Sequence, residues 1–311
     1  MTLEQLRVFT MVADHLHMTR AAEHLHMTQS AVSASVAALE AACGLRLFHR
    51  VGRRIELTEA GAGFLPEAQA ILARVAAAET VLADLSGLKR GRLSVLASQT
   101  VANYWLGPLL CRFHRLYPEI ALEVAIGNTE QVAAAVRGGE AELGFVEGEV
   151  HEPLLARTAI PGDRLVLVAP AVRSWSGEVA AAHAVVAPQA LLEIPFVLRE
   201  RGSGTRQMFE KALIAVGVRP EALQVVLELP SNESVISAVI AGAGATVISD
   251  LVAAAGLAAG TLVRLPYALP PRRFYAVRHA DRYQSRAAAA LLALAREGGQ
   301  AISTQESGQG I

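Results

Sequence analysis

Apolar positions in the first 60 residues recur at helical spacing. Leu3, Leu6, Phe9, Val12 and Ala13 mark a first helix behind an N-cap at Thr2. Thr19 is expected to cap a second, short helix carrying Ala21, Ala22 and Leu25. Thr28 opens a third, in which Val32, Val36 and Leu39 share one face. A short turn at His26 and Met27 separates the second helix from the third. Residues 51–57 read as a tight hairpin ending in a short strand. Thr58 then opens a helix running to about Ser86, about 43 Å long at the standard rise. Leu65, Ala68, Leu72, Val75, Leu82 and Leu85 approximate a seam, broken where Glu79 falls on it. Such a stripe on a lone helix needs a partner, and a second copy of the chain is the expected one.

Gly87 and Gly91 bracket a linker, and beyond it the texture changes. Short apolar runs read as strands at Leu93–Ala97, Leu122–Ile126, Glu142–Val146, Leu165–Ala169, Pro195–Leu198, Leu223–Leu229, Ala245–Ser249 and Arg273–Val277, with helical stretches between them. That alternation predicts an α/β domain with a mostly parallel sheet. The half also echoes itself. A shift of 103 residues lays Asn128, Thr129 and Glu130 on Ser231, Asn232 and Glu233, and Gly139 on Gly242. A shift of 105 lays Ser98 and Thr100 on Ser203 and Thr205. The expected organisation is a helix-turn-helix domain over 1–58, a linker helix over 59–87 and a two-lobed domain over 88–311. Lobe I takes about 92–161 and 268–300, and lobe II about 162–267.

The chain has 311 residues, 28 basic and 29 acidic, for a net charge of −1. That sum argues against nucleic acid only weakly, because phosphates respond to local charge. Arg46, Arg50, Arg53 and Arg54 fall together with no acid between them, a phosphate-binding footprint that the sum hides. Of the basic residues 26 are Arg, a bias read mainly as composition. Thr28, Gln29, Ser30 and Ser33 lie at the exposed start or outer face of the third helix. From there Gln can pair with adenine in the major groove, and Ser tolerates either base. Five of the nine histidines lie in this region; His15 and His17, two apart, do not share a helix face, so no metal site is expected.

The run Thr19-Arg20-Ala21-Ala22-Glu23, Leu25, Thr28-Gln29-Ser30-Ala31-Val32-Ser33, followed by Leu39-Glu40, Gly44, Leu47-Phe48, Arg50 and Leu57-Thr58-Glu59-Ala60-Gly61, resembles the LysR-type transcriptional regulators over the whole chain length. The resemblance implies an N-terminal winged helix-turn-helix, a dimerising linker helix and a C-terminal two-lobed α/β effector domain like the periplasmic binding proteins. It also implies a homo-oligomer, commonly a tetramer, acting on promoter DNA; in a ligand-responsive regulator of this kind, RNA polymerase is a further candidate partner. Ala34 and Ser35 depart from the larger polar residues usual in the recognition helix, which shifts weight to DNA shape and to the Arg53–Arg54 wing.

In doubly wound lobes, ligands bind where helix N-termini meet the carboxyl ends of strands. The residues offered there are Ser98, Gln99, Thr100, Asn128, Thr129, Arg199, Gly202, Ser203, Gly204, Thr205, Ser231 and Asn232. Hydroxyls and backbone N–H groups at helix starts suit a small anion, and Arg199, Arg201 and Arg206 bias the field the same way. The competing reading makes the Ser, Thr and Asn residues ordinary N-caps. The loop Leu198–Arg206 and the run Gly144–Gly148 resemble a subgroup of LysR-type regulators linked to inorganic sulfur and carbon-fixation metabolism, with Arg201 standing where that subgroup usually has Pro. Glu147 repels an anion it faces directly; its alternatives are a hinge role and a bond to a donor group on the ligand.

Other classes fit less well. Gly202-Ser203-Gly204 lacks the spacing of a nucleophile elbow, and Gly242-Ala243-Gly244 lacks the third glycine of a dinucleotide fingerprint. An enzyme is therefore not expected, nor a cofactor beyond the small-molecule effector. A transport-type anion-binding protein fits the lobes but not the N-terminal helices, and Glu4 and Asp14 in the first apolar stretch argue against a signal peptide. Cys43 and Cys111 cannot form a disulfide framework, which points to the cytoplasm. No apolar run reaches the ~20 residues of a membrane span.

Overall fold

The computed structural model describes residues 1–51, 54–85, 91–148, 150–171 and 186–306; at 50, 51, 54, 80, 83–85 and 298–306 only the backbone is described. The N-terminal unit ends at Leu85, and the C-terminal unit holds, in the main, the residues after it.

Helices α1 (Leu3–His15), α2 (Met18–His24) and α3 (Gln29–Cys43) bury Leu6, Phe9, Val12, Ala21, Ala22, Val32, Val36 and Leu39 in one core. Ala21 and Ala22 present no bulk, so the helices approach closely. Thr2 and Gln5 form a reciprocal capping box on α1, and Thr28 caps α3. The cap of α2 differs from expectation. Leu16 closes α1 in the left-handed region (φ 47), which leaves His17 to cap α2; its Nδ1 accepts from the Arg20 N–H at 3.4 Å, and Thr19 lies inside the helix. Strands β1 (Phe48–Val51) and β2 (Arg54–Leu57) pair antiparallel as the wing. Helix α4 (Glu59–Leu85) has 27 residues. Phe64, Leu65, Ala68 and Leu72 on it pack against the α1–α3 core, so the first part of its stripe is covered by its own chain. Further along, Leu82 is 68% exposed.

The C-terminal unit is built on β3 (Gly91–Ser98), β4 (Ile120–Gly127), β5 (Leu143–Glu147), β6 (Leu155–Pro170), β7 (Pro195–Arg199), β8 (Gln224–Leu229), β9 (Thr246–Ser249), β10 (Leu262–Leu265) and β11 (Pro271–His279). Between them run α5 (Gly107–Leu116), α6 (Thr129–Gly138), α7 (Gly204–Ala215), α8 (Asn232–Ile240) and α9 (Asp250–Ala258), with α10 (Arg286–Glu306) last. Seven strands form one sheet in the order β10-β6-β11-β5-β3-β4, with β9 beside β6; β7 and β8 pair separately. The sheet is mixed, not mostly parallel. Pairs β3–β4, β3–β5 and β7–β8 are parallel, whereas β6 and β11 run antiparallel to each other and to their other partners.

The reason is that β6 and β11 carry the chain between lobes. The first part of β6 pairs with β11, and its second part with β9 and β10. Only the second part reads as a strand in the sequence, because Arg157, Gly162 and Asp163 interrupt the apolar run. Gly162 sits where the two crossover strands touch: a Cβ there would lie 1.9 Å from the Arg272 carbonyl oxygen. Each lobe has its own core. One joins Leu93, Val95, Phe113, Phe145 and Phe274 to Ala288 and Leu291 of α10. The other gathers Leu167, Phe196, Phe209, Leu213 and Val247.

Candidate functional site

The start of α3 is the exposed end of the helix-turn-helix. The Thr28 hydroxyl accepts from the Ala31 N–H at 3.2 Å and lies 3.0 Å from the Ser30 hydroxyl. Gln29 and Ser30 are exposed, and Gln29 Nε2 donates to Ser33 Oγ at 3.0 Å. Gln29 and Ser33, four residues apart, therefore present one polar edge. Behind it, the buried Glu40 carboxylate accepts from the Leu47 N–H at 2.8 Å, the Phe48 N–H at 3.1 Å and Arg46 Nη1 at 2.8 Å. Glu40 thus ties the end of α3 to the root of the wing. It also pairs with Arg46, one of the four arginines of the expected phosphate footprint, although no acid lies between them in sequence. Arg50 and Arg54 stand on the paired wing strands, in register with Ile55 and Val51. Arg53 lies outside the described residues. The rings of His15 and His24 stack at 4.4 Å. Among the described residues no group of three or more His, Cys, Asp or Glu could hold a metal ion.

In the C-terminal unit, the predicted polar residues meet between the lobes. Ser98, Thr100, Thr129, Glu147, Arg199, Ser203, Thr205 and Asn232 are all buried. The meeting follows the internal echo: the segment after the first strand of each lobe docks on the helix start after the second strand of the other. Thus Gln99 and Thr100 engage Asn232, at 3.0 and 3.1 Å, while the Glu130 N–H donates to the Gly202 carbonyl and Asn128 Nδ2 to Glu200, both at 3.3 Å. Gly204 touches β5 so closely that a Cβ there would lie 2.1 Å from the Glu147 carbonyl oxygen.

The capping alternative holds at two of these turns. Asn128 Oδ1 accepts from the Gln131 N–H at 2.9 Å, and Ser231 Oγ from the Ser234 N–H at 3.0 Å. It does not hold at the other two; Thr100, at the N-cap position after β3, makes no side-chain capping bond. Ser203 occupies the N-cap position of α7 without a side-chain capping bond, and its Oγ is buried with no hydrogen-bond partner among the described residues. A buried hydroxyl without a partner is costly, and such exceptions call for an explanation.

The charges differ from expectation. Arg199 is 3% exposed, and its Nε and Nη2 bind Glu200 at 2.8 and 2.9 Å while Nη1 donates to Asn232 Oδ1 at 2.6 Å. Arg206 is paired with Glu210 and Glu228. The charge of these two arginines, expected to favour an anion, is spent on carboxylates of the same lobe. Arg201 stands exposed on the loop. Two residues were missed altogether. Arg272 is buried on β11, ion-paired with Asp163 of β6, and its Nη1 donates to Thr205 Oγ1 at 3.0 Å. The available signal was an arginine on the same face of the strand as Phe274 and Ala276. Glu147 accepts from Ser98 Oγ, and its carbonyl from Thr129 Oγ1 at 3.1 Å. Burial pushes its carboxyl above the usual carboxylate range, with Arg272 and Arg199 pulling the other way.

Residues 3–62 match the bacterial regulatory helix-turn-helix protein, lysR family, and residues 86–300 match the LysR substrate binding domain. The chain is 34% identical to a RuBisCO operon transcriptional regulator of Acidithiobacillus ferrooxidans, over 89% of this chain and 87% of that protein. Its fold is similar to that of full-length CbnR in complex with its target DNA, with TM-score 0.67 and 21% identity over 96% of this chain and 99% of that one. It is also similar to the CcmR regulatory domain of Synechocystis PCC6803 in complex with 2-PG, with TM-score 0.60 and 26% identity over 68% of this chain and 98% of that one. Two family domains in this order, covering nearly the whole chain, establish that it belongs to the LysR-type transcriptional regulators, DNA-binding proteins with a C-terminal effector-binding domain.

Proposed function

We propose that the chain regulates transcription in response to a small anionic effector held between its lobes by Ser98, Gln99, Thr100, Asn128, Thr129, Glu147, Arg199, Gly202, Ser203, Gly204, Thr205, Ser231 and Asn232. The observation that carries this reading is the buried, unpartnered Ser203 hydroxyl at the start of α7. A hydroxyl and backbone N–H groups at a helix start offer an anion donors without a competing countercharge. With Arg199, Arg206 and Arg272 already paired, the helix starts of α6, α7 and α8 supply the attraction. The Glu147 carboxylate favours an anion that also carries a donor hydroxyl. The binding of 2-PG by the related CcmR domain supports the size and charge class.

On DNA, Thr28, Gln29, Ser30 and Ser33 read base edges, while Arg50, Arg53 and Arg54 hold phosphates from the wing. The likeness to a RuBisCO operon regulator supports targets in inorganic carbon metabolism. The protein works in the cytoplasm as a homo-oligomer, paired through the exposed part of α4 and assembled as a tetramer that contacts RNA polymerase. A ligand shifts that assembly only by its differential affinity for two states.

The test is thermal unfolding and DNA footprinting of the full chain with sulfate, inorganic phosphate and 2-PG. At least one is expected to raise the unfolding temperature and alter the footprint, and Ser203→Ala to remove both effects. Footprints and unfolding temperatures unchanged by all three sink the anion reading.

A further inference from the structure

The helix that follows β3 is not α-helical throughout. Residues Val101–Leu106 form a π-helical turn that runs into α5. Such turns cluster at functional sites because they re-aim side chains. Here the wider turn keeps Asn103 and Tyr104 together near the face of Gln99. In an ordinary α-helix Tyr104 would stand about 140° round from Gln99. All three reach the other lobe. Gln99 straddles Ser231, with Nε2 donating to the Pro230 carbonyl at 2.8 Å and Oε1 accepting from the Asn232 N–H at 3.0 Å. Asn103 Nδ2 and the Tyr104 hydroxyl both donate to Glu233 Oε1, at 3.3 and 3.2 Å.

We infer that Asn103 and Tyr104, presented by this π-turn to Glu233, are the outer fastener of a clasp that sets how readily the two lobes part. The bonds are graded inward. Asn103, Tyr104 and Glu233 are exposed; Gln99 lies behind them; the Asn232–Thr100 bond at 3.1 Å is buried. Exposed bonds contribute little singly, because water competes for each partner. Each outer bond is therefore weak alone, and the rim holds because these bonds act together with the inner ones, which restore the closed register. Apart from the Arg272–Thr205 bond at the crossover, the described residues join the opposite rim by the two 3.3 Å bonds from Asn128 to Glu200 and from Glu130 to Gly202. The π-turn rim is thus the better fastened one and limits opening. This holds whatever occupies the cleft, so it stands apart from the effector reading.

The experiment is amide hydrogen exchange on the full chain, comparing wild type with Asn103→Ala combined with Tyr104→Phe. About tenfold faster exchange is expected at 230–236 and also at 200–208 on the far rim, with residues 3–43 unchanged. No acceleration at 200–208 overturns the inference, including the case where only 230–236 speeds up, because that is fraying of α8 alone. If the double variant loosens the whole C-terminal unit, Tyr104→Phe decides. It removes one exposed hydroxyl, and two- to threefold faster exchange at 200–208 is expected; an unchanged rate there overturns the inference.

Discussion

Arg272 Nη1 donates to the Thr205 hydroxyl at 3.0 Å, joining the crossover strand β11 to the first turn of α7. The same guanidinium holds Asp163 through Nε and Nη2, and Ser249 donates to that carboxylate as well. Because Thr205 Oγ1 accepts from Arg272, its own hydrogen points elsewhere. An ion pair at the interlobe crossover therefore sets the direction of a buried hydroxyl beside Ser203.

Replacing Thr205 by Val leaves one buried guanidinium N–H without its acceptor. We expect a loss of about 1–3 kcal/mol in urea unfolding, largely restored by Thr205→Ser. Asp163→Asn removes the countercharge and is expected to cost more, about 3–5 kcal/mol. If Asp163→Asn is the milder of the two, Arg272 is neutralised by some other group.

Gly204→Ala tests the contact between α7 and β5. The added methyl would lie 2.1 Å from the Glu147 carbonyl oxygen and 2.5 Å from Thr129 Oγ1. Backbone cannot yield as a flexible side chain does, so the lobes must separate or α7 must shift, at about 1–3 kcal/mol. Gly107→Ala is the control: beyond its chain neighbours and its own helix backbone nothing lies within 4 Å of the added Cβ, and a small gain is expected there. Equal thermal unfolding of the two variants would refute the close approach.

How much of this was legible depends on sequence distance. The helix-turn-helix could be read because its signals are local: Thr28 caps α3, and Val32, Val36 and Leu39 repeat within it. The polar turns at Ser98, Asn128, Ser203 and Ser231 were legible as strand-to-helix junctions for the same reason. What those side chains bond to was not. Asp163 and Arg272 are 109 residues apart, and Thr100 and Asn232 are 132 apart, so no local pattern links them. Arg199 was misjudged although Glu200 is its neighbour. In an extended strand adjacent residues point to opposite faces, and only the bend after β7 lets them pair. The first part of β6 was missed because a strand crossing between lobes has no uniform buried face.

The recognition helix and the wing should separate experimentally. Gln29→Ala and Ser33→Ala are each expected to weaken discrimination at a specific base by about 1–3 kcal/mol, leaving nonspecific binding intact. Arg53→Ala should weaken binding to every sequence and flatten the dependence of affinity on salt. Fluorescence anisotropy with cognate and scrambled duplexes across a salt series distinguishes the two. A pure change of specificity in Arg53→Ala places that residue away from phosphate.

Glu147 makes the folded state sensitive to pH, and the sign follows from its burial. Its proton affinity in the folded chain lies above the ordinary carboxylate value of 4.5, because burial penalises the anion more than Arg272 and Arg199 relieve it. The folded state then binds a proton more tightly than the unfolded state. The stabilisation from this group is fully present below the unfolded value and is lost as pH rises through the raised folded value. Glu147→Gln keeps an acceptor for Ser98 and carries no charge at any pH. It should therefore gain unfolding temperature relative to wild type in mildly alkaline buffer, and the gain should shrink toward pH 4. Thermal unfolding at half-unit steps of pH measures the difference. A gain that grows as the solution is acidified would mean that the ion partners of Glu147, rather than its burial, control the carboxyl.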